Sequence, residues 1–151
     1  KRYARSGSSH CGTAARKQRV IMQYRSSFKI TGWEPAEADE TDEIADIARA
    51  RIRKAFTGDL EGTSVANAIL YQTLVKSGGY AALERITGTI GEREGTFVVQ
   101  HSGIRDSAGN GPAYGDVVPG SGTDGFEGVA GTMKIEESES GESFLFDLTF
   151  Q

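Results

Sequence analysis

Glu84 and His101 are the residues of this chain best suited to proton chemistry. In "YAALERITGTI" (80–90), Tyr80, Ala82, Glu84 and Ile86 alternate with Ala81, Leu83 and Arg85. On a strand Glu84 would therefore share a face with apolar residues. In "TFVVQHSGI" (96–104), Phe97, Val99 and His101 share one face, and Val98 and Gln100 the other. A carboxylate and an imidazole enclosed together can serve as acid and base, because burial and pairing tune their proton affinities. The same two groups also make an ordinary structural pair at a wet strand end. Parity does not decide which face is inside, so Glu84 and His101 stand as catalytic candidates and Gln100 as a candidate ligand contact.

Trp33, Tyr71, Tyr80 and Tyr114 are further ligand-binding candidates, since aromatic rings with a polar tip suit an apolar pocket that orients one molecule. Other patterns carry less chemistry. Gly120, Gly122 and Gly125 in "VVPGSGTDG" have the G-x-G-x-x-G spacing of a dinucleotide loop, but "FEGVAGTMKIEE" after them is a poor helix. A corner is expected there, with the Ser121 and Thr123 hydroxyls capping backbone groups. Asp59 and Glu61 fall on one strand face, but two carboxylates without a third ligand are too few for a cation site. His10 and Cys11 are adjacent and lack a second pair. His101, Ser102 and Asp106 are sequence neighbours without triad geometry. No metal site and no cofactor are expected.

These residues must be held by strands. Residues 58–151 contain 17 of the 20 glycines, and short alternating runs there are separated by turn residues. Strand candidates are 64–74, 80–90, 96–104, 125–137 and the closing "FLFDLTFQ", with "DVVP" as a short piece. In the last strand Phe144, Phe146, Leu148 and Phe150 share a face, and at least one face of a closing strand must be buried. Recurrent Gly-Thr pairs inside strands fit a strongly bent or closed sheet. "TDEIADIARARIRKAF" (41–56) reads two ways. Ile44, Ile47, Ala48, Ile52, Ala55 and Phe56 form a helical stripe, with acids first and bases last. A strand reading also exists, with Ala48, Ala50, Ile52 and Phe56 on one face, but Lys54 falls on that apolar face, and on periodicity alone a helix is the expectation.

The chain has 151 residues, 37% hydrophobic and 25% charged, which is the size and composition of one globular domain. No run reaches the ~20 apolar residues of a membrane-spanning helix. The beginning, "KRYARSGSSHCG", has no apolar leader segment, so a cytoplasmic location is the expectation. One cysteine excludes an internal disulfide. Residues 1–25 hold seven of the 17 Lys and Arg and no acid, whereas the remainder is strongly acidic. An acidic body repels phosphate, so nucleic acid is not expected as a partner. The expected division is a basic arm at 1–25 and a barrel domain at 26–151.

"FTGDLEGTS", "YAALERITGTI", "REGTFVVQHSG" and "VVPGSGTDGFEGVAG" occur in this order between residues 56 and 131. Together they resemble an uncharacterised bacterial family, a domain of unknown function with an allene-oxide-cyclase-like, calycin-like β-barrel. The resemblance runs from about Phe28 to Phe150. It implies an all-β fold, a single antiparallel barrel of about eight strands, with 45–57 as a strand rather than a helix. It carries over no active site, because a shared fold does not transfer function. One departure is that Tyr114 is followed by Gly115 and Asp116, which shifts the aromatic residue expected just before Val-Val-Pro-Gly. Three functions fit such a barrel: enclosure of a small apolar molecule, a cofactor-free isomerase or cyclase working in the cavity, or a filled barrel with a structural or interaction role. The first is preferred. No membrane partner is expected, and the oligomeric state stays open, a homodimer included.

Overall fold

The computed structural model describes residues 18–36 and 47–150. Eight strands form a closed antiparallel barrel in which each strand pairs with the next in sequence and the last pairs with the first. They are β1 (Met22–Pro35), β2 (Ala48–Gly58), β3 (Leu60–Gln72), β4 (Gly78–Ile90), β5 (Arg93–Arg105), β6 (Ala113–Val117), β7 (Ala130–Ser138) and β8 (Gly141–Thr149). The 41–56 ambiguity resolves as a strand from Ala48 onward, because Ala50, Ile52, Lys54 and Phe56 all turn to the barrel interior. The first part of the helical stripe, Ile44 included, lies outside the described residues, as do His10, Cys11 and most of the basic arm. β1 begins at Met22, so the last residues assigned to the arm belong to the barrel wall; Tyr24 pairs with Phe146.

The expected strand at 125–137 is shorter. Asp124–Phe126 is a single 3-10 turn, and β7 starts only at Ala130. Gly120–Gly125 makes a corner, as its residues suggested. Val118 and Thr123 continue the ladder of β5 beyond the short β6, through bonds to Val98 and Thr96. The Ser121 Oγ accepts from the Val98 N–H at 3.0 Å and the Thr123 Oγ1 from the Thr96 N–H at 3.1 Å. Phe126 and Val129 are thereby carried under the barrel, where both are buried. The glycines of strand interiors align across the sheet, Gly62 opposite Gly88 and Gly88 opposite Gly95, where the wall bends too closely for side chains.

The interior has two unlike halves. Below, Phe56, Leu60, Ile86, Phe97, Phe144 and Phe146 pack into one cluster closed underneath by Phe126. Each such side chain contributes ~1.5–3 kcal/mol by leaving water, so this half carries most of the folding energy. Above, the inward positions are mainly small: Ala50, Ala66, Ala68 and Ala82, with Ile52. The described connections 73–77, 106–112 and 139–140 lie at this upper end, where β1 also ends and β2 begins. No helix among the described residues is long and apolar enough to cross a membrane.

Candidate functional site

A polar cluster lies where the packed half meets the alanine half. Glu84 enters from β4 and is fully buried. Its Oε1 accepts from the Lys54 ammonium of β2 at 2.7 Å and from the His101 Nε2 of β5 at 2.9 Å. Its Oε2 accepts from the Ser64 hydroxyl of β3 at 2.6 Å. The Tyr80 hydroxyl, two positions above Glu84 on β4, meets His101 Nδ1 at 2.7 Å. The Lys54 ammonium also lies over the rings of Phe28 and Phe144, 5.0 and 4.9 Å from their centroids. Among the described residues no buried side-chain nitrogen or oxygen lacks a partner.

The barrel dictates this convergence. Lys54 pairs with Ser64 across β2–β3, Ala66 pairs with Glu84 across β3–β4, and Ala82 pairs with His101 across β4–β5. All four polar groups thus sit on inward positions of neighbouring strands within two rows. Gly103 supports the arrangement. It stands opposite Tyr80, and a Cβ there would fall 2.8 Å from the Tyr80 ring and 2.9 Å from the Ala113 Cβ. The missing side chain is the space into which the ring lies to reach His101.

Burial pushes the Glu84 carboxyl up, but the His101 hydrogen bond, the Lys54 charge and bond, and the Ser64 hydroxyl outweigh it, so Glu84 titrates below the usual carboxylate range. It is an anion held in a dry interior. Burial, then the nearby Glu84 charge, pushes the Tyr80 phenol up to about 12. Tyr80 is therefore a neutral hydroxyl.

Above the cluster a cavity of about 680 Å³ opens toward the upper end, within the size range of small-molecule sites. Ala66, Ala68 and Ala82, with Ile52, line its walls, and Lys54, Tyr80 and His101 reach its floor. Trp33 and Ile30 both line it, although they are three residues apart. A bulge between Ile30 and Gly32 shifts the register, so that Ile30 pairs with Lys54 and Trp33 with Ile52, both inward residues. Tyr71 stands half-exposed at the rim. Arg105, also at the rim, is paired with Glu137 at 2.8 Å and Glu142 at 3.2 Å.

The structure brings Glu84, His101 and Tyr80 into direct contact and places Trp33 and Tyr71 around the same cavity. It separates Gln100 and Tyr114 from it. His101 takes the inward parity of β5, so Gln100 points outward, opposite Leu83 and Asp116. Tyr114 is 63% exposed on the outer face of β6. Both border a hollow of about 780 Å³ on the outside of β2–β6, which the sheet divides from the interior cavity. Lys54 and Ser64 are site residues that sequence reasoning missed. The signal for Lys54 was present as the single charge on an otherwise apolar strand face; Ser64 gave none.

The weaker candidates take structural places. The Asp59 carboxylate accepts from the Arg25 N–H at 2.8 Å, and Glu61 is exposed. Ser102 is exposed on the outer face, while the Asp106 carboxylate accepts from the Ala108 and Asn110 N–H groups of its own turn. Among the described residues no three His, Cys, Asp or Glu side chains gather as a metal site would need.

Fold and site together define a small closed β-barrel, packed in one half and hollow in the other, with an ion pair buried at the division. Residues 24–150 match the family described as "Protein of unknown function (DUF3224)", and the chain belongs to that family. The crystal structure of a DUF3224 protein of unknown function from Shewanella oneidensis MR-1 is similar to it, with 30% sequence identity and a TM-score of 0.73. The match covers 87% of this chain and 99% of that one. No curated protein matches the chain. The family expected from the quoted motifs is the one found.

Proposed function

We propose that this protein encloses a small, mostly apolar molecule in the upper half of its barrel. The observation that carries the reading is the change of inward side chains from phenylalanine to alanine along a continuous wall, which leaves a cavity of about 680 Å³. A barrel evolved only for stability would gain from filling that space, since dispersion contacts are lost at every unfilled wall. An apolar wall with a few convergent polar groups is also the usual composition of a ligand site. A calycin-like shape, as its resemblance suggests, suits such a role.

Titration with an environment-sensitive apolar dye tests the proposal. One dye per chain should bind the native protein, and Ala66→Phe with Ala82→Phe should abolish binding while the protein stays folded. Absence of dye binding, with unfolding insensitive to a diverse apolar library, would leave the structural role.

A second reading, a cofactor-free isomerase or cyclase, is favoured by one observation: Tyr80, His101 and Glu84 form a continuous hydrogen-bonded chain from the cavity into the core. Such a chain can take up a proton at the cavity and stabilise the resulting charge. It requires chemical conversion of a bound molecule, lost in Glu84→Gln or His101→Ala while binding is retained. The raised proton affinity of Tyr80 makes its phenolate costly to form, which is why enclosure is preferred.

A further inference from the structure

The hydrogen bonds at the cavity floor can be counted, and the count limits what the floor can receive. The ionised Glu84 carboxylate only accepts, so His101 Nε2 carries the proton of their 2.9 Å bond. One ammonium, Lys54, already matches the single charge of Glu84 at 2.7 Å. A second cation at His101 would leave uncompensated charge in a dry interior, so the balanced state has a neutral imidazole. A neutral imidazole protonated on Nε2 has a bare Nδ1, which must accept from the Tyr80 hydroxyl at 2.7 Å. The Tyr80 proton is therefore spent inward. What its oxygen retains on the cavity side is lone pairs.

The remaining floor donor, Lys54, gives one of its three N–H groups to Glu84, and its ammonium lies over the rings of Phe28 and Phe144, so its charge is matched by one carboxylate and two ring faces. At the rim, Arg105 is neutralised by Glu137 and Glu142, and Lys76, which also lines the opening, is exposed in the 73–77 turn at the end away from the floor. A carboxylate pushed to the floor would meet the lone pairs of Tyr80 and add unmatched charge to a balanced cluster.

We infer that the molecule held in this cavity bears a neutral hydrogen-bond donor, an alcoholic or phenolic hydroxyl, at its inner end, and gives that proton to the Tyr80 oxygen. The inference rests on the enclosure reading above and adds to it the chemical class of ligand. It assigns to Tyr80 the role of acceptor, and to His101 and Glu84 that of fixing which way the Tyr80 proton points.

Three probes with the same ten-carbon chain separate the alternatives: 1-decanol, methyl decanoate, which has no donor, and the decanoate anion. Trp33 is the only tryptophan and lines the cavity, so its fluorescence reports occupancy directly. At pH 8, 1-decanol should bind roughly tenfold tighter than methyl decanoate, the worth of about one net hydrogen bond. It should exceed decanoate by at least as much. In Tyr80→Phe the alcohol and the ester should bind alike. Equal binding of alcohol and ester to the native protein, tightest binding of decanoate, or an alcohol preference unchanged in Tyr80→Phe would each overturn the donor assignment and leave enclosure standing. No Trp33 response to any probe, together with no change in melting temperature, would overturn enclosure and the assignment with it.

Discussion

The Lys54 ammonium reaches 2.7 Å from the Glu84 carboxylate across the intervening strand β3, and both side chains are within the barrel wall. Two charges in this position are costly to desolvate and are tolerated because Glu84 also accepts from Ser64 and His101 while the ammonium rests over the Phe28 and Phe144 rings. Removing one alone strands the other. Lys54→Met is expected to lose about 3–5 kcal/mol in urea unfolding, and Lys54→Met with Glu84→Met to recover part of that loss. Additive losses in the double variant would mean that the pair does not act as a unit.

Acid should act on the same pair. Glu84 titrates lower in the folded protein than its ordinary value of 4.5, so the folded state binds the proton less readily than the unfolded chain. Its stabilising contribution is fully present above about 4.5 and is lost as the pH falls through the lowered folded value. The stability difference between the native protein and Glu84→Gln should be constant from neutral pH to about 4.5 and shrink below it. A difference that widens on acidification would reverse the sign and place Glu84 as a neutral acid.

Alkali acts on Tyr80. Its phenol is raised from 10.0 to about 12, so the folded state holds that proton more tightly than the unfolded chain. Stability from this source is complete below pH 10.0 and falls as the pH rises toward about 12. Absorbance titration of phenolate should resolve one late-ionising tyrosine, absent in Tyr80→Phe. Ionisation of all tyrosines together near 10 would mean that Tyr80 is wet and the floor open to water.

Gly103 should be intolerant of any side chain for a local reason. A Cβ would stand 2.8 Å from the Tyr80 ring, so Gly103→Ala should move that ring from His101 rather than unfold the barrel. The expected result is a tyrosine that ionises near the ordinary value, with a folded far-ultraviolet spectrum. Retention of the late-ionising tyrosine in Gly103→Ala would show that the space is not needed.

Phe146 is fully buried in the lower cluster, touching Phe97 and Phe144 ring to ring. Phe146→Ala should cost ~3–5 kcal/mol, most of the margin of a domain this size. A loss under ~1 kcal/mol would mean that the lower half is not the source of the fold's stability.

Much of the barrel was legible because strands with one buried face announce themselves by alternation. β8 showed its inner face as Phe144, Phe146 and Leu148, although Leu145 on the other face is buried as well, and β4 and β5 placed Glu84 and His101 on apolar faces that proved to be the inside. Where alternation fails, so did the reading. Trp33 was named for its residue type, but strand parity could not place it, since it reaches the cavity through a bulge that breaks the period of β1. Lys54 looked like a defect in a strand pattern because its counter-charge lies 30 residues away, a pairing fixed by register rather than by spacing. Gln100 and Tyr114 were drawn toward the cavity by residue type alone, and parity with His101 and Ser102 sends both outward.

The two halves of the barrel differ in what a mutation can reach. Replacing a lower phenylalanine threatens the fold itself. Replacing Ala66, Ala68 or Ala82 with a larger apolar residue changes the shape of an empty volume, and adds contacts instead of removing them. If the cavity encloses a molecule as proposed, its selectivity would drift by single substitutions at these three positions while the fold's stability is held elsewhere. On that reading the same scaffold would be retuned to a different guest without passing through an unfolded intermediate sequence.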